Sequence, residues 1–313
     1  MESKSIECFL RVVELGSINK AAADLNVSQP SLSRAIAALE HEMGAQLFTR
    51  HQGGVQLTDP GRLLADRARP LLAQFALLKE QIGETSGQVA VGIPPSWQTV
   101  FTTGFIKQVF TQAPGVALRI HEGVSHVLLD HMQAGLLDLC IIPFGSTAMG
   151  GYSQGRLVRE PLVLVGHPSS GVDWSKPVPL QALGGQKMVL PGKPNAIRQL
   201  IENTLVRQAL AFKLVMQVDT LALCLNVASQ NLAFTVVPAC AVSSLAHGTD
   251  TRWTPIKGLY MTWALFENNA RTHSLAVRES RRLLLEEVAS SVRSGRWFGA
   301  ESVMDQGQAV TAP

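Results

Sequence analysis

Three short apolar-striped segments, each closed by a residue that stops a helix, open the chain and limit what its first sixty residues can become. Ile6, Phe9, Leu10, Val13 and Leu15 fall at three- and four-residue steps before Gly16, the stripe of a first helix. Ser17 then caps a second helix, Ile18 to Leu25. Its Ala21, Ala22 and Ala23 allow close approach by a neighbour, and Asn26 tolerates the left-handed conformation that ends it. Ser28 caps a third, with Pro30 in the first turn and Ile36, Leu39 and Met43 facing inward until Gly44. Two strand-like runs, Leu47 to Arg50 and Val55 to Thr58, then flank a Gly53-Gly54 turn. Small helices followed by a hairpin predict an N-terminal, essentially all-α winged helix-turn-helix.

From Leu64 the apolar positions Leu64, Ala68, Leu71, Phe75, Leu78 and Ile82 recur at alternating four- and three-residue steps, the seam of a long linker helix that pairs two chains. An amphipathic helix packed on its own domain has the same spacing and stays open as the alternative. Pro70 lies inside this helix and predicts a bend. Beyond Gln88 short β-rich runs alternate with helical stretches for about two hundred residues, which predicts parallel sheets with covering helices in two α/β lobes around a cleft. The expected boundaries are 1–58 for the head, 59–87 for the linker helix and hinge, 88–298 for the lobes, and 299–313 for a disordered tail.

Composition narrows the partners less than the pattern does. The 313 residues exceed what one core organises, and 46% hydrophobic against 16% charged residues describes a well-packed globular protein. Net charge is only +3, and residues 1–87 hold nine Lys and Arg against ten Asp and Glu. Nucleic-acid binding must therefore be argued from local geometry. Cys8, Cys140, Cys224 and Cys240 form no CxxC pair and sit in apolar runs, as buried structural thiols do. The opening Met-Glu-Ser-Lys carries no secretory pattern, and the apolar window Leu221 to Val242 is broken by Asn226, Gln230 and Asn231, so a cytoplasmic protein without membrane contact is expected. His121, His126 and His131 stand at five-residue steps, which turn a helix by more than a full revolution, so their side chains do not converge and no metal site is expected. No nucleophile elbow, phosphate-binding glycine loop or catalytic carboxylate pair appears, which argues against an enzyme.

The stretch from Phe9 to Gly61 closely resembles the DNA-binding domain of the LysR family of transcription regulators. The resemblance rests on Phe9, Val13, Gly16-Ser17, Ala21-Ala22, Leu25, Ser28-Gln29-Pro30-Ser31-Leu32-Ser33, Ile36, Leu39-Glu40, Gly44, Leu47-Phe48, Arg50, Leu57-Thr58 and Gly61. It implies a helix-turn-helix from Ile18 to Ala37 that binds double-stranded DNA, with Ser17, Gln29, Pro30, Ser31, Ser33, Arg34 and Arg50 at the interface. A helix fits the major groove, where Gln29 and Arg34 could read base edges while Ser31 and Ser33 hold phosphates. Arg50 on the wing is a phosphate or minor-groove cation, and the Gln52-Gly53-Gly54 turn lacks the extra arginine common in the family.

The remainder resembles the family's effector-binding domain, built like a periplasmic binding protein. Val91 to Ser96, Pro114-Gly115-Val116, Glu122 to Ser125, Gly135 to Leu139, Glu160 to Pro168, Leu190 to Asn195 and Thr235 to Pro238 carry it. Ser96, Ser125, Pro194 and Asn195 fall where strands end and helices begin, and they are the expected effector contacts. Free amides at helix starts attract anions, which predicts an anionic organic effector. The family further implies a homodimer or homotetramer and RNA polymerase as a partner. No cofactor is expected, and the alternative of a redox sensor is disfavoured by the buried setting of the cysteines.

Overall fold

The computed structural model describes residues 3–51, 54–82, 87–145, 150–243 and 250–304. They form two compact units, the first holding the residues up to 82 together with 133–136 and the second the rest.

In the head, α1 (Ser3–Leu15), α2 (Ile18–Asp24) and α3 (Gln29–Met43) pack around Phe9, Val12, Ala21, Leu32, Ile36 and Leu39. The caps are those the sequence offers. Ser17 accepts from the Lys20 amide, Ser28 from the Ser31 amide, Asn26 is left-handed at φ 53°, and Gly44 closes α3 at φ 64°. Met43 departs from expectation: it shares the face of Ile36 and Leu39 yet is 37% exposed at the last position of α3. Arg11 bridges Asp24 and Glu14, each at 2.6 Å, which ties α1 to α2 and offsets two of the head's acids. The wing strands β1 (Phe48–His51) and β2 (Gly54–Leu57) pair antiparallel, and the Val55 amide donates to the Gly16 carbonyl. Glu40 receives the Leu47 and Phe48 amides, so the Leu39-Glu40 pair fixes where the wing leaves α3.

Thr58 caps α4 (Asp59–Ile82), with its hydroxyl accepting from the Gly61 amide. This helix runs through Pro70 without a break in its assignment. The predicted dimer seam needs correction at its start. Ala68 is 1% exposed inside the head's own core and has no face left for a second chain, while Leu64 is half-buried against the same core. The alternative of a helix packed on its own domain holds for that turn. Leu71 is 56% exposed, and the side chains of Phe75, Leu78 and Ile82 lie outside the described residues.

The described body holds a seven-stranded mixed sheet and a separate two-stranded sheet, with helices on their faces. In chain order come β3 (Gln88–Ile93), α5 (Thr103–Gln112), β4 (Ala117–Glu122), α6 (Ser125–Gln133), β5 (Leu139–Pro143) and β6 (Tyr152–Gly166). There follow β7 (Lys187–Leu190), α7 (Ala196–Arg207), β8 (Lys213–Gln217), α8 (Leu221–Ser229), β9 (Thr235–Pro238), β10 (Arg252–Asn268), α9 (Leu275–Arg293) and β11 (Glu301–Ser302). The expectation of purely parallel sheets is corrected. β3 runs parallel to β4 and β5, and β7 to β8, but the described strands that pair with β6 and β10 run antiparallel to them. The first lobe's sheet is ordered β11-β6-β10-β5-β3-β4, and β9 adds to the far end of β6. β6 and β10 thus serve both lobes.

Ser96 does open a helical run, though one of mixed pitch: a 3-10 turn, Pro95–Trp97, passes into a wider turn, Gln98–Thr102, before α5 begins. One further expectation changes. Residues 299–304 are not disordered, because β11 pairs with Val158 and Arg159, and Ala300 and Met304 pack on the core. Positions 305–313 lie outside the described residues.

Candidate functional site

On the head, the residues expected at DNA converge. α3 presents Gln29, Pro30, Ser31 and Arg34 exposed at its N-terminal half, with Ser33 half-buried beside them, while Leu32 and Ile36 point into the core. Local bonds hold this face: Gln29 Nε2 donates to Ser33 Oγ at 2.8 Å, Ser28 Oγ to Ser31 Oγ at 2.8 Å, and Arg34 Nε to the Pro30 carbonyl at 3.3 Å. A guanidinium resting on its own helix at that length has little to lose on turning to a base edge. Ser17 stands at the preceding helix start, capping α2. Arg50 lies on β1, and its side chain is outside the described residues, as are Gln52 and Gly53.

In the body a cavity of about 420 Å³ opens at the carboxyl ends of β3, β4, β7 and β8. Ser96, Ser125 and Asn195 line it, as expected. Pro194 does not: it is exposed, joined to Lys193 by a cis peptide, and the wall takes Pro191, Asn195 and Ala196 from that segment. Asn195 caps α7 through the Arg198 amide, and Thr220 caps α8 through the Leu223 amide.

Sequence reasoning missed five lining residues that matter: Glu122, Asp219, Thr220, Thr235 and Trp263. Asp219-Thr220 before an apolar helix is an N-cap signal that could have revealed α8 and with it this side of the wall. The expectation of an anionic effector loses its support, since the lining includes two carboxylates and no Lys or Arg.

Behind the wall, Glu160 is fully buried in a tryptophan cluster. Its carboxyl accepts from Trp263 Nε1, from Trp297 Nε1 at 2.8 Å and from the Cys240 amide at 2.7 Å, and burial pushes its pKa up. Trp97 meets Trp263 and Trp297 edge-on at 5.6 and 4.6 Å. Asp138 joins Arg271 Nε at 2.7 Å and the Ala90 amide at 2.8 Å, so it braces the sheet.

The four cysteines are unbonded. Cys224 lines the cleft, and burial pushes its thiol up to about 11, which leaves little of the reactive thiolate at neutral pH. His121 and His131 do meet, with ring centroids 5.5 Å apart, because His121 lies on β4 and only His131 on α6. Among the described residues no group of three or more His, Cys, Asp or Glu could hold a metal ion. No described helix is long and apolar enough to cross a membrane.

Residues 3–62 match the model of the bacterial regulatory helix-turn-helix protein, lysR family, and residues 83–289 match the LysR substrate binding domain. The chain belongs to the LysR family. This LysR chain is 28% identical over 309 residues to the nitrogen assimilation regulatory protein nac of Escherichia coli, a match covering 95% of this chain and 98% of that protein. The DNA-binding transcriptional dual regulator OxyR of Escherichia coli is 31% identical over 197 residues, 61% of this chain and 63% of OxyR. Among solved structures, a full-length OxyR variant from Pseudomonas aeruginosa superposes with a TM-score of 0.71 at 20% identity, over 92% of this chain and 94% of that one. CbnR complexed with its target DNA gives 0.66 at 19%, over 93% and 100%. The protein is a DNA-binding LysR-type transcription regulator with an effector-binding domain, in a family that is not enzymatic.

Proposed function

We propose that this LysR regulator reads its operator with the N-terminal half of α3 and responds to a small molecule seated in the cleft between the lobes, acting in the cytoplasm as a homodimer or homotetramer. The exposed cluster of Gln29, Ser31 and Arg34 on one helix face carries the reading. Such a face in a major groove offers amide, hydroxyl and guanidinium donors to base edges and phosphates. That CbnR has been captured with its target DNA supports the same use of the shared head fold. The wing contributes through Arg50, and with few cations per head, affinity depends on two recognition helices presented together. Effector binding in the cleft shifts the balance between two arrangements of the chains and so the spacing of the heads. RNA polymerase is the further partner this reading includes.

The test is a gel-shift titration on the intergenic DNA beside the regulator's own gene. Arg34→Ala should weaken binding about tenfold or more and relax sequence preference, as loss of a bidentate base contact does. Unchanged affinity would remove Arg34, and with it the proposed reading face.

A further inference from the structure

We infer that the cleft accepts a small organic cation, an amine or amidine carried on an apolar body, an inference that rests on the cleft being the effector site. Glu122 enters the wall from the end of β4, and Asp219 from the turn before α8. Neither has an ion-pair partner among the described residues. Both cations on the neighbouring lip are spent on Glu202: Lys193 Nζ lies 2.8 Å from one of its oxygens and Arg198 Nε 2.8 Å from the other. Arg198 also donates to the Pro191 carbonyl at 3.0 Å. Nothing positive in that lip is left to meet an anion.

The helix starts do not reverse this balance. Each carries about half a unit of positive charge that fades within a turn. At α7 and α8 an amide of the first turn is already taken by Asn195 and Thr220. Glu122 and Asp219 stand just upstream of α6 and α8, where they oppose the helix-start charge with full carboxylates.

A second feature points to a donor-bearing ligand. Thr235 Oγ1, at 0% exposure on the cavity wall, has no well-formed hydrogen bond, and the Cys224 thiol beside it is a weak partner. No protein N–H among the described residues reaches its lone pairs. The rest of the wall is largely apolar, with Val124, Leu221, Leu225 and the indole of Trp263, and the volume suits a molecule of about one ring. An aromatic wall next to carboxylates is itself a cation-binding surface.

Three probes on one scaffold separate the charge classes: benzylamine, benzyl alcohol and benzoate, titrated by ligand-observed NMR into the full-length protein. Benzylamine should bind about tenfold or more tighter than the other two. The double variant Glu122→Gln with Asp219→Asn should lose that preference while keeping its affinity for benzyl alcohol, which shows that the cleft is still formed. Preference for benzoate, equal binding of all three, or no binding of benzylamine overturns the cation assignment. Ala222→Trp, which fills the cleft, should weaken all binding that occurs. If benzylamine binding survives that variant unchanged, the cleft itself is not the site, and the underlying reading fails separately.

Discussion

Glu160 shows how much a single residue can hold in this body. A carboxyl with no exposure and three N–H donors pins β6, the C-terminal Trp297 and the turn at Cys240 together through one side chain. Because burial raises its folded-state pKa above the ordinary 4.5, the native state keeps the proton to higher pH than the unfolded chain. Its contribution to stability is therefore complete below pH 4.5 and declines as pH rises through the raised value. Thermal melts should show the wild-type midpoint falling over that rise and a flatter profile in Glu160→Gln; equal slopes would place the group's ionisation elsewhere. At this scale the sequence was least legible. Glu160 lies in an apolar strand run where a carboxylate reads as a solvent-facing position, and Glu122 and Asp219 look like ordinary acids at strand ends. Only the convergence of distant strands makes any of them informative. Arg34 was legible because its place on α3 follows from local periodicity alone.

At the scale of elements, legibility followed the range of the forces involved. Ser17, Asn26, Ser28 and Gly44 were readable as helix limits because capping is decided within four residues. Pairing sense was not, since β6 and β10 pair across 86 residues at Arg252 and Gly166 and 116 at Asn268 and Tyr152. The same applies to β11, a two-residue strand whose signal lies wholly in its partner. Ser28→Ala should cost the head about 1 kcal/mol, the usual value of a lost N-cap. Gly61→Ala should be worse, at about 2 kcal/mol or more, because the added Cβ would lie 2.0 Å from the Leu47 carbonyl oxygen in the turn that joins the wing to α4. Denaturant titration of the full chain, following the head's transition, would rank the two. A larger loss for Ser28→Ala would show that the wing junction can give way.

For the whole molecule, the burial of Ala68 in the head core leaves Leu71 as the well-exposed apolar position of the expected seam among the described side chains. Leu71→Lys should then lower the oligomer mass seen by light scattering at micromolar concentration, and should weaken operator binding by at least about tenfold through loss of the second head. An unchanged mass would take Leu71 out of the interface. The lobes raise a different question. They are joined by β6 and β10, two strands hydrogen-bonded along most of their length and interrupted only near Pro255 to Tyr260 and at Trp263. A ribbon of that kind resists folding about a crease but yields to twist, as a leaf spring does. A ligand beside Trp263 would therefore press on a joint that gives in torsion before it bends.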